Sequence, residues 1–548
     1  MDRKNSDKSS GLMPEDVQRT IGRDAQRNNI YAAKMLSEVV KTTLGPKGMD
    51  KMLVSPNNEI TVTNDGVTIL DEMRIEHPAA KMMVEVAQTQ ETEIGDGTTS
   101  AVMVGGKLLE NAEKLLDSKI HPTVIVKGYK MAAEKAQEIL KDIAFKITPE
   151  KFLGKDVEVS EGSQDQEQIL RQIAMTAMTG KGAEDSKEKL AEIIVNTIKQ
   201  IYIEGEEIDL NDIKMEKVKG ESIKQSELVS GVVFDKEKVS HEMPSKVGNS
   251  KIALLDTPLE MKNPDLDTKV SVSSAQQIQD FVSQEEKVLK DMVQKLKEVG
   301  ANVVFCQKGI DDFAQYLLAR EGIYACRRVA KSDMEKLSKA TEGKIVSNLN
   351  ELDSYELGSA EEVKQGKHGE SSMTYVSGCK NPKALSILIH GGTDHVLDEV
   401  ERAMRDGLGD VVSVLKSRMV VLGGGGVEVE LSKRLREFAQ SLSGREQLAV
   451  EEFANALEFI PMTLAENAGL DPIDILTELK SQHDSGERNY GLNLFRGKAE
   501  DVFDSRIIEP YNIKQQALDS ASEVATMILR IDDVIASDNK DKGNMQST

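Results

Sequence analysis

No apolar run in this 548-residue chain reaches the length needed to cross a membrane as a helix. The opening stretch, MDRKNSDKSSGLMPED, is polar and lacks the apolar segment of a secretion signal. The expectations are a cytoplasmic location and no membrane partner. Cysteine is scarce: Cys306, Cys326 and Cys379 are odd in number, far apart and without metal-ligand spacing. That excludes a disulfide framework and fits reduced thiols in a cytosol. The seven histidines form no HExxH or similar set, which argues against a zinc site built from protein ligands. Positive charge is also in short supply. The formal net charge is −23, the pI is near 5.0, and no basic domain stands out. Nucleic acid is therefore not expected as a partner. No self-similarity at a period of about 20 to 50 residues is visible, so a solenoid is excluded. What is present suffices for globular cores: 39% of residues are apolar, and the length points to about three domains.

Residues 24–43 read as a helix, with Ala32, Met35, Leu36, Val39 and Val40 at helical spacing. LGPKG then stops it, since Gly45 suits the left-handed position after a helix and Pro46 cannot continue one. Two β-type runs between Lys51 and Thr63 flank SPNN as a hairpin. Helix returns over 98–117, with Leu108, Leu109, Ala112 and Leu116 on one face. Gly105 and Gly106 lie inside it. Each costs about 1 kcal/mol against alanine, so close packing is expected there. LGKDVEVSEGSQDQEQ (153–168) reads as a polar loop, followed by helix, glycine-rich loop and helix. From about 230 to 385, β-type runs such as KIALLDT and ANVVFCQ alternate with helices. One of these helices is capped by Ser274, carries Ile278, Phe281, Val282, Leu289, Met292, Val293 and Leu296, and ends at Gly300. After 395 the chain is mostly helical, apart from VVLGGGGVEVE and residues 484–506. Helical ends around an αβ middle predict a nested layout, with a middle domain inserted into one made from both ends.

The chemistry centres on EIGDGTTSAV, Glu93 to Val102. Glycines let successive N–H groups point at one anion, and a helix N-terminus adds partial positive charge. The hydroxyls of Thr98 and Thr99 suit phosphate oxygens. Asp96 repels phosphate but suits Mg²⁺, which favours a carboxylate plus phosphate oxygens and water. Taken alone, the stretch is explained better by a turn with a threonine N-cap. TLGPKGMDKM (43–52) is a second Gly-Lys loop but not a Walker A motif, because a helix precedes it. Asp65 in TNDGVTIL reads as turn chemistry, GGGG (423–426) as a tight turn or a backbone approached by a ligand, and Asp406 as a solvated helical charge.

Together these motifs change the reading. GRDAQRNNIYAAKML, TLGPKGMDKML, TNDGVTIL, HPAAKMM, GDGTTSAV, GREQLAVEEFANALEFIPMTLAENAGLDPIDIL and ILRIDDVIAS occur in order along nearly the whole chain. In them the sequence resembles the group II chaperonins, archaeal thermosome subunits among them. The resemblance implies a multi-domain α/β fold. A mainly α-helical equatorial ATPase domain would take 1–165 and 407–548, and a small α/β intermediate domain 166–230 and 386–406. An α/β apical domain would take 231–385, with a helical protrusion near 261–284 as a built-in lid. It implies ATP/ADP and Mg²⁺ as cofactors, with K⁺ as a further cation. Leu44, Gly45, Pro46 and Lys47 would form the first phosphate loop. Asp96 would hold the metal, with Gly97, Thr98, Thr99 and Ser100 on the phosphates. Asp65 and Asp406 would flank the attacking water, Asp406 as base. Gly424 and Gly425 would lie under the nucleotide, Asn493 and Glu509 at base and ribose, and Lys181 would sense the γ-phosphate. Implied partners are identical or sister subunits, eight per ring in a double ring, and non-native client proteins, with no separate cap protein. Departures from the family are Gly426, the approach KSRMVVL, the polar insertion near 153–165 and a tail without Gly-Met repeats. A metabolic phosphotransferase would need an acceptor pocket for which no residues stand out. A non-catalytic scaffold ring is opposed by the presence of all three aspartates. The hairpin Lys51 to Thr63 is expected to pair with terminal strands of a neighbouring subunit, the run DVIAS (533–537) and the segment before Arg23.

Overall fold

A computed structural model describes residues 17–537, apart from 56, 59, 148–161, 183–185, 204–205, 207, 211–212, 261–274, 369–370 and 380–383. The chain divides into two units: Met1–Lys181 with Gly409–Thr548, and Gly182–Leu408. The two ends of the sequence therefore share one core. The lid expected near 261–284 falls on undescribed residues up to 274, as does the expected cap Ser274.

In the first unit, long helices surround one aliphatic core. They are Arg23–Lys41, Pro78–Glu93, Thr98–Asp117, Pro122–Ile143, Glu446–Leu457 and Tyr511–Leu529. Tyr129 meets Phe453 edge to face at 5.7 Å between centroids, and its hydroxyl donates to the Leu108 carbonyl at 2.7 Å. The expected close packing on the Thr98–Asp117 helix is present. A Cβ on Gly106 would lie 2.4 Å from Ser37 Cβ of the Arg23–Lys41 helix, and one on Gly105 would lie 3.0 Å from Met83 Cε. Among the described residues this unit also carries four small sheets, two of them a hairpin and a pairing of strands near the chain ends. Lys51–Val54 pairs with Ile60–Thr63 as the expected hairpin, and Val17–Ile21 pairs antiparallel with Asp533–Ser537 of the same chain.

Several local expectations change. The first helix ends at Lys41, and Gly45 (φ +76°) lies further on, in a turn closed by the Gly48 N–H on the Gly45 carbonyl. Residues 162–168, read as loop, already belong to the helix Gly162–Met178. In VVLGGGGVEVE only Met419–Leu422 is strand, and a helix begins at Gly426. The Val-Glu alternation there is not a half-solvated strand, because both glutamates are buried. Glu428 pairs with Lys514 at 2.8 Å and Glu430 with His483 at 2.9 Å.

The second unit is built on a sheet that has nine strands among the described residues. Its central part is antiparallel: Leu385–Gly391, Glu227–Phe234, Ser371–Cys379, Gly358–His368, Lys246–Leu255. Beyond Lys246–Leu255 it turns parallel, with Val303–Cys306 and Tyr324–Cys326. Helices Ala275–Glu298 and Asp312–Arg320 provide the crossovers that parallel pairing needs. Val303–Cys306 and Tyr324–Cys326 are buried at every position, as strands covered on both faces must be.

Candidate functional site

The helix Thr98–Asp117 begins directly after Gly97, which is left-handed (φ +81°) and offers no side-chain cap. Thr98 is the first helical residue and not a cap, so the threonine-capped turn is corrected. The first N–H groups of this helix lack a capping side chain and carry the positive end of its dipole. The Asp96 carboxylate, just before them, accepts no hydrogen bond among the described residues. The Asn-Asp-Gly turn packs against the same helix start. A Cβ on Gly66 would lie 2.6 Å from Thr99 Oγ1 and 3.1 Å from Thr98 Oγ1. Asp65 is more than turn chemistry. Its Oδ2 accepts from Thr68 N–H at 3.0 Å and from the Thr68 hydroxyl at 2.6 Å, capping the helix Gly66–Glu72.

The Leu44–Lys47 loop is linked to the Asn64 turn through Gly180. The Asn64 amide donates to the Gly180 carbonyl at 2.9 Å, and a Cβ on Gly180 would lie 2.5 Å from Pro46 Cα. Lys181 follows directly in the chain. Asn467 holds this loop by donating to the carbonyls of Lys41 and Leu44 at 3.1 and 2.9 Å. Lys47 stands over the Phe495 ring, 5.5 Å from its centroid.

The glycine run packs against the segments around Leu492 and Glu509. Gly424 (φ +65°) receives the Leu492 N–H on its carbonyl at 2.8 Å, and a Cβ there would lie 2.7 Å from Leu492 O. A Cβ on Gly423 would lie 2.6 Å from Glu509 Oε1. Glu509 pairs with Lys514 at 2.7 Å, which also reaches Glu428. Burial pushes the Glu509 carboxyl up. Lys514 opposes this, while the charges of Glu428 and Asp96 add to it. Burial works against the Lys514 charge, but its two glutamates outweigh that and its pKa is raised. Asn493 is buried and spends its side chain locally. Its amide donates to Glu500 at 2.7 Å, and its oxygen accepts from the N–H groups of Phe495 and Arg496. Asp406 stands half-buried on the helix Asp394–Ser417, in the other unit.

Contacts in the first unit thus link stretches far apart in the chain: 65–66 packs on the helix start at 98–99, Asn64 ties to Gly180, Gly180 packs on Pro46, and Gly423 packs on Glu509, whose charge interacts with that of Asp96. Glycine backbone, bare N–H groups and hydroxyls suit an anion of the size of a phosphate chain. Among the described residues no three His, Cys, Asp or Glu side chains converge as a metal cage. A cation held by Asp96 would therefore need oxygens from a ligand and water as well. That is the manner of Mg²⁺, and an unpartnered carboxylate fits it. Sequence reasoning passed over Gln90, Asn467 and Lys514. Each lies within a helix, and only contact with a distant segment distinguishes it. No helix among the described residues is long and apolar enough to cross a membrane.

A family model described as the TCP-1/cpn60 chaperonin family matches residues 36–539. A thermosome subunit from Methanopyrus kandleri is 53% identical over 528 residues, covering 96% of this chain and 94% of that protein. The thermosome subunit beta of Archaeoglobus fulgidus is 52% identical over 534 residues, covering 97% and 95%. Among solved structures, an open-state monomer of a group II chaperonin from Methanococcoides burtonii superposes with TM-score 0.60 at 46% identity. It covers 80% of this chain and 100% of that one.

Proposed function

This chain belongs to the TCP-1/cpn60 chaperonin family and is an ATP-dependent chaperonin subunit; on that premise we propose how its residues divide the work. The equatorial ATPase domain, 1–165 and 407–548, falls almost wholly in the Met1–Lys181 and Gly409–Thr548 unit, and the intermediate (166–230 and 386–406) and apical (231–385) domains mostly in Gly182–Leu408. The observation that carries this reading is the convergence at Gly97. A helix start without a cap, two threonine hydroxyls, the Gly66 backbone and an unpartnered Asp96 meet there.

In the proposed site, N–H groups and hydroxyls of Gly97, Thr98, Thr99 and Ser100 hold the phosphates of ATP. Leu44, Gly45, Pro46 and Lys47 line them from the opposite side. Gly424 and Gly425 let the nucleotide lie on bare backbone. Asp96 would hold Mg²⁺, which when bound would supply positive charge for the phosphate oxygens. Asp406 takes a proton from the attacking water, Asp65 orients that water, and Lys181 responds to the γ-phosphate. Glu509 sits at the ribose and Asn493 at the base. K⁺ is a further cation for the phosphates. Chemistry of this kind depends on positioning and charge more than on covalent steps.

The proposed assembly is a double ring of eight identical or sister subunits per ring, in the cytoplasm, around non-native client proteins. Its lid is the segment near 261–284 of each subunit. Met52, Val54 and Ile60 expose apolar side chains on a hairpin of only two strands, which is marginal alone in water. Val17–Ile21 with Asp533–Ser537 is another such pair. Pairing between subunits would give both a partner.

The test is native mass together with refolding of a non-native protein, with ATP, with and without Mg²⁺. A ring mass and recovery that needs both ATP and Mg²⁺ are expected. Asp96→Ala should lose ATP hydrolysis and Mg-ATP binding together. Turnover at the wild-type rate in that variant contradicts the metal assignment.

A further inference from the structure

Gln90 lies in the helix Pro78–Glu93, outside every motif above, and is fully buried. Its amide nitrogen is 2.8 Å from the Asp96 carbonyl oxygen and 3.3 Å from that of Ile513. These two acceptors fix the amide's orientation, because the reversed amide would set its oxygen against two carbonyl oxygens. The Gln90 backbone carbonyl also accepts the N–H groups of Ile94 and Gly95, at 3.0 and 3.3 Å. One residue thus ends its helix and holds the turn that follows.

The effect on that turn is geometric. The Asp96–Gly97 peptide is planar and trans, so drawing the Asp96 carbonyl toward Gln90 turns the Gly97 N–H to the opposite side. Only a bare Cα fits at Gly97. A Cβ there would lie 2.6 Å from Ile513 Cγ2 and 3.1 Å from the Gln90 amide nitrogen. The second tie, to Ile513, anchors the turn to the start of the helix Tyr511–Leu529. Lys514 on that helix carries the ion pairs to Glu428 and Glu509.

The other end of the amide shows what the residue is for. Gln90 Oε1 is buried and has no hydrogen-bond partner among the described residues. An orphan buried acceptor is a standing cost to stability. An apolar side chain of the same length would avoid that cost. What glutamine supplies and methionine does not is the pair of donated bonds.

We propose that Gln90 is a positioning residue for the nucleotide: by holding the Asp96 and Ile513 carbonyls, it aims the Gly97 N–H and the Asp96 carboxylate at the phosphates and their cation. The proposal rests on the reading of Asp96–Thr99 as the Mg-ATP site. It is tested with Gln90→Met, Gln90→Glu and Asp96→Ala in the full-length assembled protein. The measurements are hydrolysis against ATP and against Mg²⁺, binding of Mg-ADP, and melting temperature. In Gln90→Met relief of the orphan Oε1 and loss of the donor to the two carbonyls oppose each other, so the melting temperature should change little. KM for Mg-ATP and the Mg²⁺ half-saturation should rise about tenfold, the usual scale for losing a residue that orients a ligand group, with kcat changed less. Gln90→Glu, which presents oxygen to the same carbonyls, should show the same defect. Wild-type KM and Mg²⁺ half-saturation in Gln90→Met, beside loss of Mg-ADP binding in Asp96→Ala, overturns the role of Gln90 and leaves the site reading standing. Wild-type Mg-ADP binding in Asp96→Ala overturns the site reading and this proposal with it. A Gln90→Met variant whose activity falls only in step with its melting temperature marks a structural residue and also overturns the proposal.

Discussion

The two units of this chain bury their parts differently. In Gly182–Leu408 the core is continuous apolar strand. Leu385–Gly391 and Val303–Cys306 are buried at each position, and Phe234 meets Phe305 edge to face at 5.2 Å. In the other unit the region around Gly97 is held by polar ties and by backbones too close for side chains. Gly66 lies on Thr99, Gly424 on Leu492 and Gly180 on Pro46, with Gln90, Asn64 and Asn467 as hydrogen-bonded braces. Apolar strand tolerates a change of residue at a cost in stability. A site of bare backbone and single donors loses its geometry first.

That contrast is most exposed by Phe305→Ala. Emptying a fully buried aromatic position should cost about 3–5 kcal/mol. Thermal unfolding should show an early transition, while ATP hydrolysis well below it stays near wild type. A large loss of hydrolysis with no early transition would mean that the apolar core of the second unit also sets the site.

Asp406→Ala is the opposite case. A base acts in the transition state and not in ground-state binding. Hydrolysis should fall by about 10² or more with ATP still bound and the melting temperature unchanged. Loss of binding along with turnover would show Asp406 to be structural.

A smaller effect separates buried charge from apolar core. Glu430 lies beside His483 and Arg434, with Lys433, Arg488 and Asp142 around them. Burial pushes its carboxyl up, but hydrogen bonds from His483 and Arg434 outweigh burial and hold it at about 2, below its usual 4.5. A depressed carboxyl stabilises the fold above its unfolded pKa, and that stability is lost as pH falls through the folded one. Stability should therefore decline between about 4.5 and about 2, and Glu430→Gln should flatten that part of the curve. An unchanged acid limb would contradict it.

The smallest effect is on the surface of the second unit. The pair Lys344–Glu356, 2.9 Å apart, is largely in water, where such pairs contribute little. Lys344→Ala should leave the melting temperature unmoved at moderate salt. A drop comparable to that of Phe305→Ala would break the distinction between the units.

Much of the helical framework was legible locally. The helix Thr98–Asp117 and the hairpin Lys51–Val54 with Ile60–Thr63 stand where periodicity and turn residues put them. Glycine next to aspartate and threonine marked the turn that ends at the left-handed Gly97, and the motif order identified the family. VEVE, set apart from the helical stretches in the sequence, belongs to the helix Gly426–Ser441. Here Lys514 and His483, from segments far along the chain, bury both glutamates on a helix.

What the sequence by itself determined is therefore whatever depends on spacing and residue type: helix periods, turn glycines, an acidic chain poor in cysteine, and the order of its motifs. Tertiary structure decided which of the loops meet. Gln90 illustrates the reason. Nothing in its neighbours along the chain marks it, since its role lies in two carbonyls, one six residues away and one 423 residues away. A hydrogen bond acts over about 3 Å, and only folding brings such partners within that reach.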